Sequence, residues 1–114
     1  MQIFHNPACS KSRGAMEILA DRGVEADVTE YLKAPPDRAT LERIVSIIDD
    51  EPPALVRKDK RFKELGLRAA DYTTAASVVD LLLAHPELME RPVVIVGDRA
   101  VIARPPEKLL DLLG

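Results

Sequence analysis

The sequence predicts an α/β protein in which a four-stranded mixed sheet is built from two halves, βαβ and ββα, with a helical insertion between them. Three observations predict this class. The first part of the chain alternates strand-like and helix-like segments, the middle shows helical spacing only, and the last part has a hairpin signal followed by a helix. Since 114 residues with 46% hydrophobic content suit one core, we expect a single domain over residues 1–114, with the insertion at roughly 37–90.

The first half begins with a short apolar segment, residues 1–4, which predicts a strand. The turn-like His5-Asn6-Pro7 leads into a segment with apolar residues at helical spacing, and this helix should stop at Gly23. The alternating residues that follow, up to Tyr31, predict a second strand. A strand, a helix and another strand in this order suggest a parallel right-handed crossover.

The insertion begins after Pro35-Pro36, where Asp37 is a candidate N-cap for a helix with one apolar stripe. Two short turns, near Leu55 and before Gly66, precede a longer helix. The apolar positions of the two longer helices are Leu41, Ile44, Val45 and Ile48 in the first and Val78, Val79, Leu82 and Leu83 in the second.

The second half has two short strand signals, Val93 to Val96 and Arg99 to Ala103, around the two-residue turn Gly97-Asp98. Pro105-Pro106 opens a final helix. Two halves of this kind can share one sheet with helices packed against it. The arrangement resembles the thioredoxin fold with a helical insertion.

Composition excludes several classes of function. The net charge is -3 and only 4% of the residues are aromatic, which disfavours nucleic-acid binding. The apolar runs are too short to span a membrane, the scattered glycines form no nucleotide-binding loop, and two distant histidines with one cysteine match no zinc pattern. We therefore expect a cytoplasmic protein without a metal, a bound cofactor, or a nucleic-acid or membrane partner.

Cys9 lies where the first turn meets the first helix, so free backbone N–H groups should point toward its sulfur and favour a thiolate. A buried structural thiol is the alternative, but the helix start favours the reactive one. Ser12 stands where a redox dithiol would have its second cysteine; its hydroxyl could donate to the thiolate or only cap the helix. His5 could stabilise the thiolate as a cation or only bond the turn.

Arginines are the second candidate group. Continuing the hairpin register outward from the turn places Arg91 opposite Arg104, and like charges at that spacing require an anion or a carboxylate between them. The pair is therefore a candidate oxyanion clamp, with two solvated strand ends as the alternative. Arg57 belongs to a basic segment whose simplest interpretation is a solvated turn.

The segment from His5 to Arg13 resembles the active-site loop of the glutathione- and glutaredoxin-dependent arsenate reductases. The resemblance continues in the family's order over almost the whole chain, through Leu55-Val56-Arg57-Lys58, Leu65-Gly66-Leu67, His85-Pro86, Arg91-Pro92-Val93-Val94 and Arg104-Pro105.

This resemblance implies a thioredoxin-like oxidoreductase of arsenical resistance, with Cys9 as the nucleophile and Arg57, Arg91 and Arg104 as the oxyanion-binding residues. It also implies that His5 helps to ionise Cys9 and that the peptide bond before Pro92 is cis. Arsenate would be the substrate, glutathione the co-substrate and glutaredoxin the protein partner. Two other functions stay open: a thioredoxin-like regulator that binds RNA polymerase, and a glutaredoxin-like thiol oxidoreductase.

Overall fold

The computed structural model describes residues 1–113. Its regular elements are β1 (Gln2–His5), α1 (Ser10–Asp21), β2 (Asp27–Glu30), α2 (Arg38–Ile47), α3 (Lys60–Glu64), α4 (Ala75–Ala84), β3 (Val93–Val96) and β4 (Arg99–Ile102). Short 3₁₀ turns lie at Pro52–Leu55, Ala69–Asp71 and Pro86–Leu88, and a longer one at Pro106–Leu112. No helix within residues 1–113 is long and apolar enough to cross a membrane.

The four strands form one mixed sheet in the order β2-β1-β3-β4. β1 pairs in parallel with β2 and antiparallel with β3, and β3 pairs antiparallel with β4. The predicted thioredoxin-like sheet is therefore confirmed, and the helices between β2 and β3 form the insertion. The predicted final helix forms as a 3₁₀ helix, Pro106–Leu112.

The sheet is covered on both faces, which explains why β3 is apolar at every position. Alternate residues of each strand point to opposite faces and enter two separate cores. One core, which includes Phe4 and Val93, packs against the insertion. The other, which includes Ile3 and Val94, packs against α1 and the C-terminal 3₁₀ helix.

Two predicted details of the helices and the hairpin are confirmed. Asp37 caps α2, since its side chain accepts a hydrogen bond from the Thr40 N–H at 2.9 Å. The hairpin pairs Val96 with Arg99 and Val93 with Ile102, and Gly97 in its turn has a φ of 60°.

The predicted second strand is longer than the observed one. β2 covers only Asp27–Glu30, and Val28, which the alternation grouped with the other apolar positions, is 45% exposed. Val28 is exposed because β2 is an edge strand of the sheet. The chain becomes buried only toward Tyr31, which follows β2 and is fully buried.

The start of α1 and the end of β4 are brought together by close packing of α1 on the C-terminal 3₁₀ helix. A methyl group added to Gly14 would lie 3.1 Å from Pro106 Cγ, so the two elements pack closely at this point and Pro106 would have to shift slightly for a larger residue. Pro106 follows Arg104 by two residues. This contact therefore places the second arginine of the predicted clamp beside the first turn of α1.

Candidate active site

The turn between β1 and α1 is held by hydrogen bonds among its own residues. The Asn6 N–H donates to Ser12 Oγ at 3.0 Å, and the Asn6 side-chain oxygen accepts from the Ala8 N–H at 3.0 Å. The Cys9 N–H donates to the Asn6 carbonyl at 3.0 Å. Asn6 and Ser12 are 8% and 0% exposed, so these bonds are sheltered from water. They place Cys9 at the N-cap of α1, where the sequence predicted it.

The Cys9 thiol is partly exposed, and its surroundings favour the thiolate. Burial acts to raise the pKa of Cys9, but the backbone N–H of Ser12, the Arg91 side chain and the backbone N–H of Lys11 together outweigh it. The pKa of Cys9 is therefore lowered from its ordinary value. The N–H groups are those that the first turn of any helix leaves without an intrahelical partner.

Arg91 and Arg104 both lie next to this sulfur. Arg104 Nη1 is 3.8 Å from Cys9 Sγ and donates a hydrogen bond to the Arg91 carbonyl at 3.1 Å. The Ala103 N–H donates to the Pro92 carbonyl at 2.9 Å, which carries the hairpin register one pair beyond the ladder. Arg91, just before β3, and Arg104, just after β4, thus meet beside the sulfur although Arg104 is 95 residues from Cys9 in the sequence.

Two peptide bonds in this region are cis, Arg91-Pro92 and Arg104-Pro105. The first was expected from the family resemblance and is confirmed. The second was not anticipated.

The side chains of His5 and Ser12 lie against each other, as in the alternative in which His5 bonds the turn. His5 Nδ1 is 2.8 Å from Ser12 Oγ. Burial lowers the pKa of His5, with the charge of Arg13 acting in the same direction and Glu30 opposing both, so the cationic form is disfavoured. The backbone N–H of Ser12, rather than its hydroxyl, reaches Cys9. Both side chains hold the turn, because Ser12 Oγ is already occupied by Asn6 and His5.

Arg57, the third expected oxyanion ligand, is engaged elsewhere. Its Nε lies 3.4 Å from Asp59 Oδ2, and its backbone N–H donates to the Leu88 carbonyl. Within residues 1–113, the contacts made by Cys9 do not include Arg57. An isolated bridge between Val56 and Met89 joins the segment of Arg57 to the chain just before Arg91, and Asp59 pairs with the charge of Arg57.

Two residues of the site carried no clear signal in the sequence. Tyr31 is 0% exposed and lies under the site. Burial raises the pKa of Tyr31, and the charge of Arg91 and the nearby Asn6 side chain act in the opposite direction, although neither residue forms a hydrogen bond of good geometry with the hydroxyl. Glu90 Oε1 is 3.8 Å from Arg104 Nε, and burial raises its pKa. Tyr31 looked like a strand residue. Glu90 could have been noticed, because the predicted arginine pair required an anion or a carboxylate nearby.

The arrangement suits nucleophilic attack on a tetrahedral oxyanion. A thiolate supplies the nucleophile, and guanidinium groups at its side can bind the oxygens of the anion and stabilise charge as it develops. Among residues 1–113, no three His, Cys, Asp or Glu side chains are grouped as a metal site requires.

The chain is similar to known proteins over almost its whole length. The model of the ArsC family matches residues 4–112. An Escherichia coli protein with the name uncharacterized protein YfgD is 37% identical over 116 residues, covering 100% of this chain and 97% of the relative. An arsenate reductase of Neisseria meningitidis is 39% identical over 115 residues, covering 99% and 97%. Among solved structures, an arsenate reductase from Vibrio cholerae is 34% identical with a TM-score of 0.85, covering 97% of both chains.

Proposed function

The chain belongs to the ArsC family, and from this premise we propose that it is an arsenate reductase whose nucleophile is the Cys9 thiolate. The observation that carries the proposal is the placement of Arg104 Nη1 at 3.8 Å from Cys9 Sγ, at a helix start that lowers the pKa of the thiol. Arg91 and Arg104 bind the oxygens of arsenate. Arg57 joins them by leaving Asp59, and His5 and Ser12 hold the turn.

The first step is displacement of a hydroxyl from arsenic. The Cys9 thiolate attacks the arsenic of H₂AsO₄⁻, a sulfur–arsenic bond forms, and an arsenic–oxygen bond breaks. The departing hydroxide takes up one proton and leaves as water, so that the product is a Cys9–S–AsO₃H⁻ adduct. The guanidinium groups stabilise the negative charge that gathers on the oxygens during this displacement.

The reducing electrons come from outside the chain. Cys9 is the one cysteine of the sequence, so no internal thiol can resolve the adduct. Glutathione adds to arsenic with loss of water. A glutaredoxin thiolate then attacks the glutathione sulfur, forming a mixed disulfide and leaving two electrons on arsenic, which becomes trivalent. Hydrolysis releases arsenite and regenerates the thiol. The proposed chemistry requires a compartment in which glutathione is kept reduced, and we therefore propose that the protein is cytoplasmic.

An NADPH-coupled assay with arsenate, glutathione, glutaredoxin and glutathione reductase tests the proposal. We expect arsenite formation that stops when either glutathione or glutaredoxin is omitted, and none with Cys9→Ser. Arg104→Ala should lower kcat/KM by about 10²-fold or more, as loss of one oxyanion-stabilising donor does elsewhere. Arg61→Ala is the matched control, because Arg61 pairs with Glu87 away from Cys9. Deglutathionylation or polymerase binding without arsenate turnover would contradict the proposal.

A further inference from the structure

Three buried side-chain atoms within residues 1–113 have no hydrogen-bond partner: the Tyr31 hydroxyl, Glu90 Oε1 and Arg91 Nε. All three belong to residues of the candidate active site. Buried polar atoms are paired in nearly all cases, so a group of unpaired ones indicates that the partner comes from outside the chain. The Glu90 oxygen is the unexpected one of the three. An ionised carboxylate accepts hydrogen bonds, and so would the oxygens of an anion bound by the arginines.

Glu90 is held in this place by its backbone. Its N–H donates to the Leu55 carbonyl at 2.8 Å, and the neighbouring residues Val56 and Met89 form a bridge. The side chain is 22% exposed, and Oε1 lies 3.8 Å from Arg104 Nε, which is too far for a hydrogen bond. Oε1 of the carboxyl group therefore has a cation beside it but no hydrogen-bond donor.

We propose that Glu90 is a specificity-determining residue that makes the site select oxyanions carrying a proton, such as arsenate and phosphate, against fully ionised ones, such as sulfate. This inference rests on the proposed function, because it assumes that Arg104 binds an oxyanion.

The selection follows from the number of protons available. An ionised carboxylate has acceptors only, and so has sulfate, so the two repel each other when both approach Arg104. Arsenate and phosphate keep a hydroxyl near neutral pH, and this hydroxyl can donate to Glu90 Oε1. Guanidinium groups alone bind any of these tetrahedral anions, so the arginines cannot supply this discrimination.

The charge on Glu90 depends on the groups that face it. Arg104 and Lys58 and the backbone N–H of Arg91 favour the ionised carboxylate, whereas Asp59 disfavours it. Burial has the largest effect, and the pKa of Glu90 is raised. As the pH falls toward this pKa, Glu90 gains a proton that it can donate to sulfate. The affinity for sulfate should therefore increase in acid and be lowest at alkaline pH.

Calorimetric titration of the Cys9→Ser protein with inorganic phosphate and with sulfate at pH 8 tests the inference, since this variant cannot form an adduct. We expect phosphate to bind at least ~10-fold more tightly than sulfate. Glu90→Gln in the same background should reduce this preference by about 10-fold, mainly through tighter sulfate binding. Glu87→Gln is the matched control, because Glu87 lies on the same loop but pairs with Arg61.

A second measurement does not depend on the folding of Glu90→Gln. In a Cys9→Ser protein that also carries His5→Gln, neither Cys9 nor His5 can titrate, and sulfate affinity should still rise as the pH falls from 8 toward 4.5, the ordinary pKa of glutamate. An unchanged preference in Glu90→Gln, or a sulfate affinity that does not vary with pH, would overturn the role of Glu90 alone. Failure of both anions to bind at any pH would overturn the oxyanion site and, with it, the proposed function.

Discussion

Cys9 shows most directly how a single residue obtains its chemistry from its position. The helix start supplies backbone N–H groups and Arg91 supplies charge, and together they lower the pKa of the thiol against the effect of burial. The role of the helix start was readable from the sequence, because a turn ending in proline precedes the helical spacing. The contribution of Arg91 required the hairpin register. The engagement of the Ser12 hydroxyl could not be foreseen, because it depends on where the Asn6 backbone points.

Thiol labelling measures this effect. We expect the iodoacetamide reaction of Cys9 to have a pH midpoint below that of free cysteine, because the thiolate is the reactive form. Arg91→Ala should move the midpoint upward by removing a hydrogen bond and a positive charge. Arg61→Ala should leave it unchanged. A midpoint equal to that of free cysteine would show that the resting thiol is not activated.

The unpaired hydroxyl of Tyr31 leads to a prediction about stability. A buried hydroxyl without a partner is unfavourable, so Tyr31→Phe should leave the free energy of unfolding unchanged or raise it by up to about 1 kcal/mol. Chemical denaturation measures this difference. A loss of more than about 1 kcal/mol would mean that the hydroxyl is bonded in the folded protein.

At the scale of elements, the segments with strong local signals were predicted well. The Asp37 cap, the Gly97-Asp98 turn and the order of helices and strands are set by neighbouring residues. The features that depend on distant packing were not predicted. Val28 is exposed because β2 lies at a sheet edge, and the ion pair between Arg57 and Asp59 carried no signal in the sequence.

The turn between β1 and α1 is the element on which the site depends most. Ser12→Ala should lower the free energy of unfolding by about 1–3 kcal/mol, because the buried Asn6 N–H loses its acceptor. It should also slow iodoacetamide labelling of Cys9, since the turn that places the thiol loosens. Urea denaturation and labelling rates measure the two effects. Ser46→Ala, on the exposed surface of α2, is the control. Unchanged stability in Ser12→Ala would contradict this account of the turn.

At the scale of the whole molecule, the fold brings together one residue from the first helix start and two from the last hairpin. These residues meet at the end of a sheet that is covered on both faces, with α1 on one face and the insertion on the other. The sequence predicted this architecture from the order of its elements. The distances from the guanidinium groups to Cys9 Sγ depend on packing between elements that are far apart in the sequence, which local sequence patterns do not predict.

The pH dependence of global stability tests the burial of charge near the site. Burial raises the pKa of Glu90 in the folded state, so the fold favours the protonated carboxyl group. The contribution of this group to the free energy of unfolding is present below the ordinary pKa of 4.5 and is lost as the pH rises through the raised pKa. Glu90→Gln should therefore be more stable than the parent at pH 7, with the difference shrinking toward pH 4.5.

Glu87→Gln provides the contrast in the same denaturation experiment. Burial acts to raise the pKa of Glu87, but its own backbone N–H, Arg61 and His85 outweigh it and lower the pKa. The contribution of the ionised carboxylate to the free energy of unfolding is present above the ordinary pKa of 4.5 and is lost as the pH falls through the lowered pKa. Glu87→Gln should therefore be less stable than the parent at pH 7. The same sign for both variants at pH 7 would contradict the assigned environments.

A crystal soaked with arsenate, examined by anomalous scattering at the arsenic edge, tests the central claim most directly. We predict arsenic bound to Cys9 Sγ with its oxygens directed at Arg91 and Arg104. Arsenic at another position, or a Cys9 sulfur that stays free while arsenate occupies the crystal elsewhere, would contradict the proposed site and its chemistry.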